Sequence, residues 1–311
     1  MPAYSVSRSV EIAVAAEKVF ESVVDFKTWT TWSPWLICEP DAQVTVSENS
    51  TSRGSLYAWK GEMTGQGEVE HMKIDYGRKV DDEIRFIKPF KSQAQVGFEV
   101  TPLSTGTKLT WTMHGRMPWF MFWMVPSLET MVGMDYQRGL LMLKDWLETG
   151  SIPSKSVVAG VQETGPLRMA GVLGSCRTDE IGPAMEETFA TANREFDLAR
   201  LPRDGAMISV YTKFLMAKGR FDYLSGYVLP ADASLRLPSS LTEWTLPRCS
   251  ALRVDHHGAY RHLGNGWSIA NQIARYRKYK QRSCGAFEIY RQAVPQVAED
   301  QQVTEIYLPL R

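Results

Sequence analysis

The stretch Cys284-Gly-Ala-Phe-Glu288-Ile-Tyr-Arg-Gln292 places one carboxylate inside a run that otherwise reads as a buried strand. Period-2 alternation puts Glu288 and Tyr290 on one face and Phe287 and Ile289 on the other. An unpaired carboxylate among bulky apolar neighbours is costly or gives up its charge, so something must compensate for it. A structural ion pair or hydrogen bond to a neighbouring Arg or Tyr is one reading. A cavity in which Glu288 meets the polar or cationic end of a ligand is the other.

Working outward, the elements around this strand occur twice. Residues 166–173 read as a strand, 182–199 as an amphipathic helix with Met185, Phe189, Ala192 and Phe196 on one face, and 206–214 and 221–230 as two strands. Residues 249–256, 264–279, 286–292 and 303–310 then repeat strand, helix, strand, strand. The endings echo each other, Gly226-Tyr-Val-Leu-Pro230 against Glu305-Ile-Tyr-Leu-Pro309. Such a duplication predicts pseudo-twofold symmetry, with a groove between the two helices or across the joint sheet.

The pattern changes upstream of the Gly-, Ser- and Pro-bearing segment 148–156, which has the composition of a connector. The expected organisation is a domain over 1–150, a linker over 151–156 and a second domain over 157–311. In the first, residues 4–14 alternate as a strand and 15–26 carry Val19, Phe20, Val23 and Val24 at helical spacing. Residues 42–113 read as successive strands joined by short turns such as Asp75-Tyr-Gly-Arg78 and Ser104-Thr-Gly-Thr107, an antiparallel meander. Residues 122–149 then turn helical, with Leu128, Met131, Val132, Leu140, Leu143, Trp146 and Leu147 as the apolar stripe. A long terminal helix laid across a curved antiparallel sheet leaves an internal hollow, so the fold class is α+β. The run Met117-Pro-Trp-Phe-Met-Phe-Trp-Met-Val-Pro126 is expected to be core sealing one end of that hollow; a lid, or an exposed patch meeting lipid or the second domain, is the other reading.

Composition narrows the function classes. Lys plus Arg and Asp plus Glu both number 35, so no bulk charge draws the chain toward nucleic acid or anionic membrane. The four cysteines, Cys38, Cys176, Cys249 and Cys284, include no C-x-x-C pair, which argues for reduced thiols in a cytoplasm. The N-terminus moves straight into an alternating strand without the apolar core of a signal peptide, and the longest apolar run, 117–128, is interrupted by Pro126 and falls short of the roughly 20 residues that span a bilayer. No membrane insertion is expected.

Several short motifs carry family resemblances. In the first half these are Val19-Phe20, Asp25, Trp29-Thr-Thr-Trp32-Ser-Pro-Trp35, Gly54-Ser-Leu-Tyr57-Ala-Trp59-Lys-Gly61, Gly65-Gln-Gly67 and Gly139-Leu-Leu-Met-Leu143-Lys-Asp-Trp-Leu147-Glu. With the order of elements, residues 3–149 resemble the SRPBCC superfamily, the START and polyketide-cyclase-like helix-grip fold. The resemblance implies a deep apolar pocket, for which Trp35, Trp59, Trp111, Trp119 and Phe122 are the candidate lining residues, and it implies no particular reaction. In the second half the motifs are Val254-Asp-His-His-Gly258-Ala-Tyr260, Leu263-Gly-Asn-Gly-Trp267, Phe287-Glu-Ile-Tyr290 and Thr304-Glu-Ile-Tyr-Leu-Pro-Leu310. Residues 157–311 resemble the GyrI-like family, the effector-binding domain of multidrug-responsive transcription activators. That resemblance implies Glu288 as the ligand-facing acid, with Tyr290, Tyr260 and Trp267 as wall candidates. The first repeat departs from the acidic motif, with Ser209-Val-Tyr211 where the second has Glu288-Ile-Tyr290, so one acid per pocket is expected. Tyr211, Tyr223 and Tyr227 are candidates for the opposite wall or for strand packing.

The expected ligand is a hydrophobic or cationic aromatic small molecule, held by charge-assisted hydrogen bonding and cation-π attraction. No cofactor is expected. His256 and His257 are adjacent and face opposite ways in a strand, so they cannot share a metal, and no P-loop, dinucleotide fingerprint or Gly-x-Ser-x-Gly occurs. Two other readings stay open. Glu288 could act as general base of a hydrolase opening strained electrophiles of the cyclopropane type, an activity the GyrI-like class permits. The chain could also be a regulatory effector module working through a protein partner, since its aromatic, strand-rich first half is not suited to binding DNA directly.

Overall fold

The computed structural model describes residues 1–230, 235–292 and 297–311. The chain forms two compact units, Met1–Ile152 and Pro153–Arg311. Among the described residues no helix is long and apolar enough to cross a membrane.

The first unit is built on strands β1 (Ala3–Ile12), β2 (Gln43–Val46), β3 (Leu56–Lys60), β4 (Gln66–Asp75), β5 (Lys79–Lys88), β6 (Ser92–Leu103) and β7 (Gly106–Arg116). They form one antiparallel sheet in the order β1-β7-β6-β5-β4-β3-β2, so the opening strand closes onto the last strand of the meander, Ala3 opposite Arg116 and Ile12 opposite Thr107. Helices α1 (Ala16–Val24) and α2 (Trp29–Trp32) follow β1, and α3 (Val125–Thr149) follows β7. Alternation sets the faces: in β7, Thr107, Leu109, Trp111 and Met113 are buried while their neighbours are not. Tyr136, Leu140, Leu143 and Leu147 of α3 recur at helical spacing and join the same core. Gly139 makes the approach close, since a Cβ there would stand 2.9 Å from the Trp111 ring and 3.1 Å from Pro34. This is the expected arrangement of curved antiparallel sheet and long terminal helix.

The aromatic run before α3 does not seal the hollow. Pro118 opens a six-residue 3-10 turn, Trp119–Met124, and α3 starts only at Val125. Trp119 is 74% exposed and Phe122 65%, with Phe120 and Trp123 similarly open. Neither Trp119 nor Phe122 therefore lines the interior. With only three residues per turn, consecutive large rings on a 3-10 helix splay around it and cannot share one buried face.

The second unit contains β8 (Ser154–Thr164), β9 (Leu167–Arg177), α4 (Ile181–Leu198), β10 (Met207–Leu215), β11 (Arg220–Val228), β12 (Thr242–Leu246), β13 (Cys249–Gly258), α5 (Leu263–Tyr276), β14 (Ala286–Gln292) and β15 (Val303–Pro309). Its eight strands run β12-β9-β11-β10-β14-β15-β13-β8. Exchanging the two repeats reverses this order and leaves it unchanged, which is the expected duplication. Each repeat also carries a leading strand that the sequence pattern did not reveal, β8 in one and β12 in the other. The leading strands cross over: β8 pairs with β13 of the second repeat, and β12 with β9 of the first. β8 begins at Ser154, inside the segment read as linker, and α5 ends at Tyr276, three residues before the expected stop. Lys278, just beyond, has a φ of 56°, a left-handed conformation incompatible with continuing the helix.

Candidate functional site

The centre of the second unit lies where β10 meets β14. Ser209 of β10 stands directly opposite Glu288 of β14 in the antiparallel register. Because Ser209-Val-Tyr211 matches Glu288-Ile-Tyr290 in the duplication, the local twofold passes through this pair. Tyr211 and Tyr290, each two residues further along its own strand, flank the pair on the same face. Gly285 enters β14 at a φ of 95°, and a Cβ there would meet the Tyr211 carbonyl oxygen at 2.8 Å. Only glycine permits that turn at that approach.

Both symmetry-related tyrosines converge on the single acid. Glu288 is 1% exposed, and its Oε1 accepts a hydrogen bond from the Tyr211 hydroxyl at 3.0 Å and another from the Tyr290 hydroxyl. Its Oε2 accepts from Trp267 Nε1 of α5 at 2.8 Å. Among the described residues no Lys, Arg or His is paired with it. Burial raises its pKa above the ordinary carboxylate value, and the bonds from Tyr290, Trp267 and Tyr211 oppose that rise. The Tyr211 and Tyr290 hydroxyls are pushed well above their usual value, first by burial and then by the neighbouring carboxylate, so both remain donors near neutrality.

Aromatic rings surround this carboxylate. Trp267 packs edge-on to Tyr211 at 4.9 Å, Tyr260 edge-on to Tyr290 at 5.7 Å, and Phe189 of α4 edge-on to Tyr290 at 5.5 Å. Tyr211, Tyr260, Trp267 and Tyr290 are each half-buried while Glu288 is fully buried, so the rings form a partly exposed rim over a sequestered negative group. Beneath Tyr290, the Ser209 hydroxyl lies 3.3 Å from the Tyr290 hydroxyl oxygen, whose proton is given to Glu288, and 2.8 Å from Ser225 Oγ.

Of the residues singled out in the sequence, Tyr290, Tyr260, Trp267 and Tyr211 are brought together around Glu288. Tyr223 touches the group only through the Tyr211 ring, at 6.4 Å, and its hydroxyl meets Thr188 of α4 at 3.1 Å. Tyr227 stands apart, donating to Asn193 and packing on Phe196, both of α4. These two tyrosines seat α4 on the sheet. Sequence reasoning did not assign Phe189 to the site; its place on the α4 stripe, one helical turn from Met185, was the available signal.

The first unit encloses a cavity of about 90 Å³. Trp35, Trp59 and Trp111 line it, together with Trp29, Tyr57 and Tyr136. Tyr136 was legible as the position four before Leu140 on the α3 stripe. Trp35 Nε1 donates to Asp135 at 3.1 Å, and Arg138 holds the same carboxylate at 2.6 Å. Trp59 Nε1 donates to the Thr64 carbonyl at 3.2 Å. The turn carrying Thr64 is fixed in place by Glu39, whose carboxylate accepts from the backbone N–H groups of Glu62, Met63 and Thr64.

A helix-grip unit around an aromatic cavity, joined to a duplicated unit with a buried acid under an aromatic rim, defines a protein of the small-molecule-binding class. Residues 3–148 match the family model described as polyketide cyclase / dehydrase and lipid transport, and residues 161–311 match the GyrI-like small molecule binding domain. The chain is thus an SRPBCC-type domain followed by a GyrI-like domain. Similar solved structures include protein CV1439 from Chromobacterium violaceum, 15% identical over 47% of this chain and 98% of its own, with a TM-score of 0.37. The Aha1 dimer from Colwellia psychrerythraea is 15% identical over 47% and 97%, at 0.35, and CalU16 from Micromonospora echinospora 12% over 47% and 77%, at 0.34. No curated protein matches the chain.

Proposed function

We propose that the GyrI-like domain binds amphipathic aromatic cations, with Glu288 meeting the positive end while Tyr211, Tyr260, Trp267 and Tyr290 flank the ring system. The observation that carries this reading is a fully buried carboxylate served by three neutral donors and, among the described residues, paired with no protein cation. Neutral donors soften the cost of burying the charge without cancelling it, and an incoming cation supplies the missing compensation. Aromatic faces add about 0.5–2 kcal/mol each and are tolerant of ligand shape. The protein would then sense, sequester or detoxify such compounds in the cytoplasm, a setting consistent with four cysteines that form no disulfide among the described residues.

The test uses a naphthyl trimethylammonium probe and its neutral tert-butyl isostere, titrated by fluorescence quenching against the full-length protein and Glu288→Gln. The cation is expected to lose at least tenfold in affinity and the isostere less than twofold. Equal losses for the two probes defeat the assignment. The raised pKa of Glu288 also supports a second reading, in which the carboxylate takes a proton from water as that water opens a strained ring. Incubation with a cyclopropane-bearing electrophile separates the two by mass spectrometry: multiple-turnover product favours the hydrolase, unchanged bound compound the binder.

A further inference from the structure

The geometry of the turn Trp119–Met124 directs its four large rings outward. Side chains three apart eclipse on a 3-10 helix, which sorts the six residues into three ridges: Trp119 with Phe122, Phe120 with Trp123, and Met121 with Met124. Both aromatic ridges are exposed, whereas the methionine ridge is half-buried. The turn thus faces its domain with the methionines and presents the rings to the outside, the reverse of what core packing would select.

Strand register brings a second apolar tip to the same end of the sheet. Phe86 of β5 stands opposite Ser92 of β6, and Ala94 of β6 opposite Gly115 of β7, so the β5–β6 hairpin lies beside the chain leaving β7 for the turn. That hairpin carries Phe90, 79% exposed, between Lys88 and Lys91, and the exit from β7 carries Arg116. All three cations are exposed, and residues 87–92 and 115–126 contain no acid. The β3–β4 turn, which reaches the same end beside Lys88, adds one exposed acid, Glu62. Cations therefore prevail around the rings.

We propose that this end of the first unit docks on an anionic lipid surface, with Trp119, Phe120, Phe122, Trp123 and Phe90 entering the headgroup layer while Lys88, Lys91 and Arg116 meet lipid phosphates and carboxylates. Aromatic rings favour the boundary between headgroups and acyl chains, and Lys and Arg beside them add attraction to anionic lipid. Two ridges of rings pointing in different directions offer a folded partner no single flat face, whereas a fluid headgroup layer closes around each ring. A six-residue turn enters the interface without spanning it. The surface belongs to the first unit and uses no residue of the Glu288 site.

The experiment sediments the full-length protein with sucrose-loaded vesicles, one set of phosphatidylcholine alone and one of three parts phosphatidylcholine to one of phosphatidylserine. The anionic vesicles are expected to bind it at least tenfold more tightly, and added salt to reduce the difference. Combining Trp119→Ser with Trp123→Ser is expected to lower affinity at least tenfold for both sets. Combining Lys88→Gln, Lys91→Gln and Arg116→Gln is expected to remove the preference for the anionic set and leave binding to phosphatidylcholine unchanged, while Glu288→Gln behaves as the unaltered protein. Absence of sedimentation with either set overturns the proposal, as does a ring variant that sediments like the unaltered protein. Sedimentation velocity without lipid covers the other occupant: self-association abolished by the ring substitutions would assign the rings to a second copy of the chain and overturn docking on lipid. Should the ring variant fail to fold, the charge variant and the comparison of the two vesicle sets decide the matter.

Discussion

Burial raises the pKa of Glu288, and the bonds from Tyr290, Trp267 and Tyr211 only partly restore it. A folded-state pKa above the unfolded value means that the folded chain holds the proton more tightly. The stability contributed by this group is then complete below the ordinary carboxylate range and is lost as pH rises through its raised value. His256 has the opposite bias: it is 1% exposed, accepts at Nδ1 from the Ser156 hydroxyl, donates from Nε2 to the Ala259 carbonyl, and burial lowers its pKa to about 4. Its contribution, on the order of 3 kcal/mol, is present above about 6.5 and is lost as pH falls toward 4. Urea denaturation from pH 4 to pH 8 is expected to show both slopes, with the loss at rising pH abolished in Glu288→Gln and the acid-side loss retained. Tyr211→Phe, which removes one donor from a buried carboxylate, is expected to cost about 1–3 kcal/mol at neutral pH and less where Glu288 is protonated. A cost independent of pH would show that the hydroxyl does not serve the charge. The acid itself was legible in the sequence, since two-residue alternation marks a carboxylate on a strand face. The bond from Tyr211 was not, because it depends on how β10 registers against β14 across many intervening residues.

Local composition misleads where an element is too short or too peripheral to bury what it carries. The turn Trp119–Met124 has the aromatic density of a core, yet Trp119 and Trp123 are 74% and 66% exposed, while Trp111, on a long strand facing α3, is 2% exposed. Trp119→Ser and Trp123→Ser are accordingly expected to shift stability by no more than about 0.5 kcal/mol, and Trp111→Ala to cost about 3–5 kcal/mol. Denaturant midpoints at constant m-value measure this difference; a loss above about 2 kcal/mol for either turn variant would mean that its ring is packed. The leading strands escaped reading for the complementary reason. β8 is an edge strand whose Val157, Val158 and Val161 remain substantially exposed, interrupted at Gly160 and opening with the Ser and Lys of a connector. β12 is five residues long at the other edge. Central strands announce themselves by apolar alternation; edge strands owe their conformation to a partner far away in sequence.

At the scale of the molecule, duplication explains how one acid acquires two tyrosines. The local twofold brings Tyr211 and Tyr290 to the same point, while the repeats have diverged at the axis itself, Ser209 on one strand and Glu288 on the other. Two facing carboxylates would repel each other in a buried site; a serine opposite the acid avoids this and leaves the pair of tyrosines to serve one charge. That arrangement requires both repeats, because the crossed pairings of β8 with β13 and β12 with β9 tie the halves of the sheet together. Among the described residues, the first unit's seven strands form a sheet of their own. Each unit has its own apolar core and about 150 residues, a size at which a single domain buries roughly 70% of its surface. Fragments 1–152 and 153–311, expressed separately, are therefore each expected to unfold in one cooperative transition. Fragment 153–311 is further expected to retain the preference for the naphthyl trimethylammonium probe over its neutral isostere, and to lose it on Glu288→Gln. Cutting within the second unit, between β11 and β12, is expected to abolish both, since each half would be left without its crossed leading strand and the carboxylate without Tyr211. A cooperative fold in a fragment ending before β12 would show that the repeats are autonomous and that the convergence on Glu288 is not what holds them together.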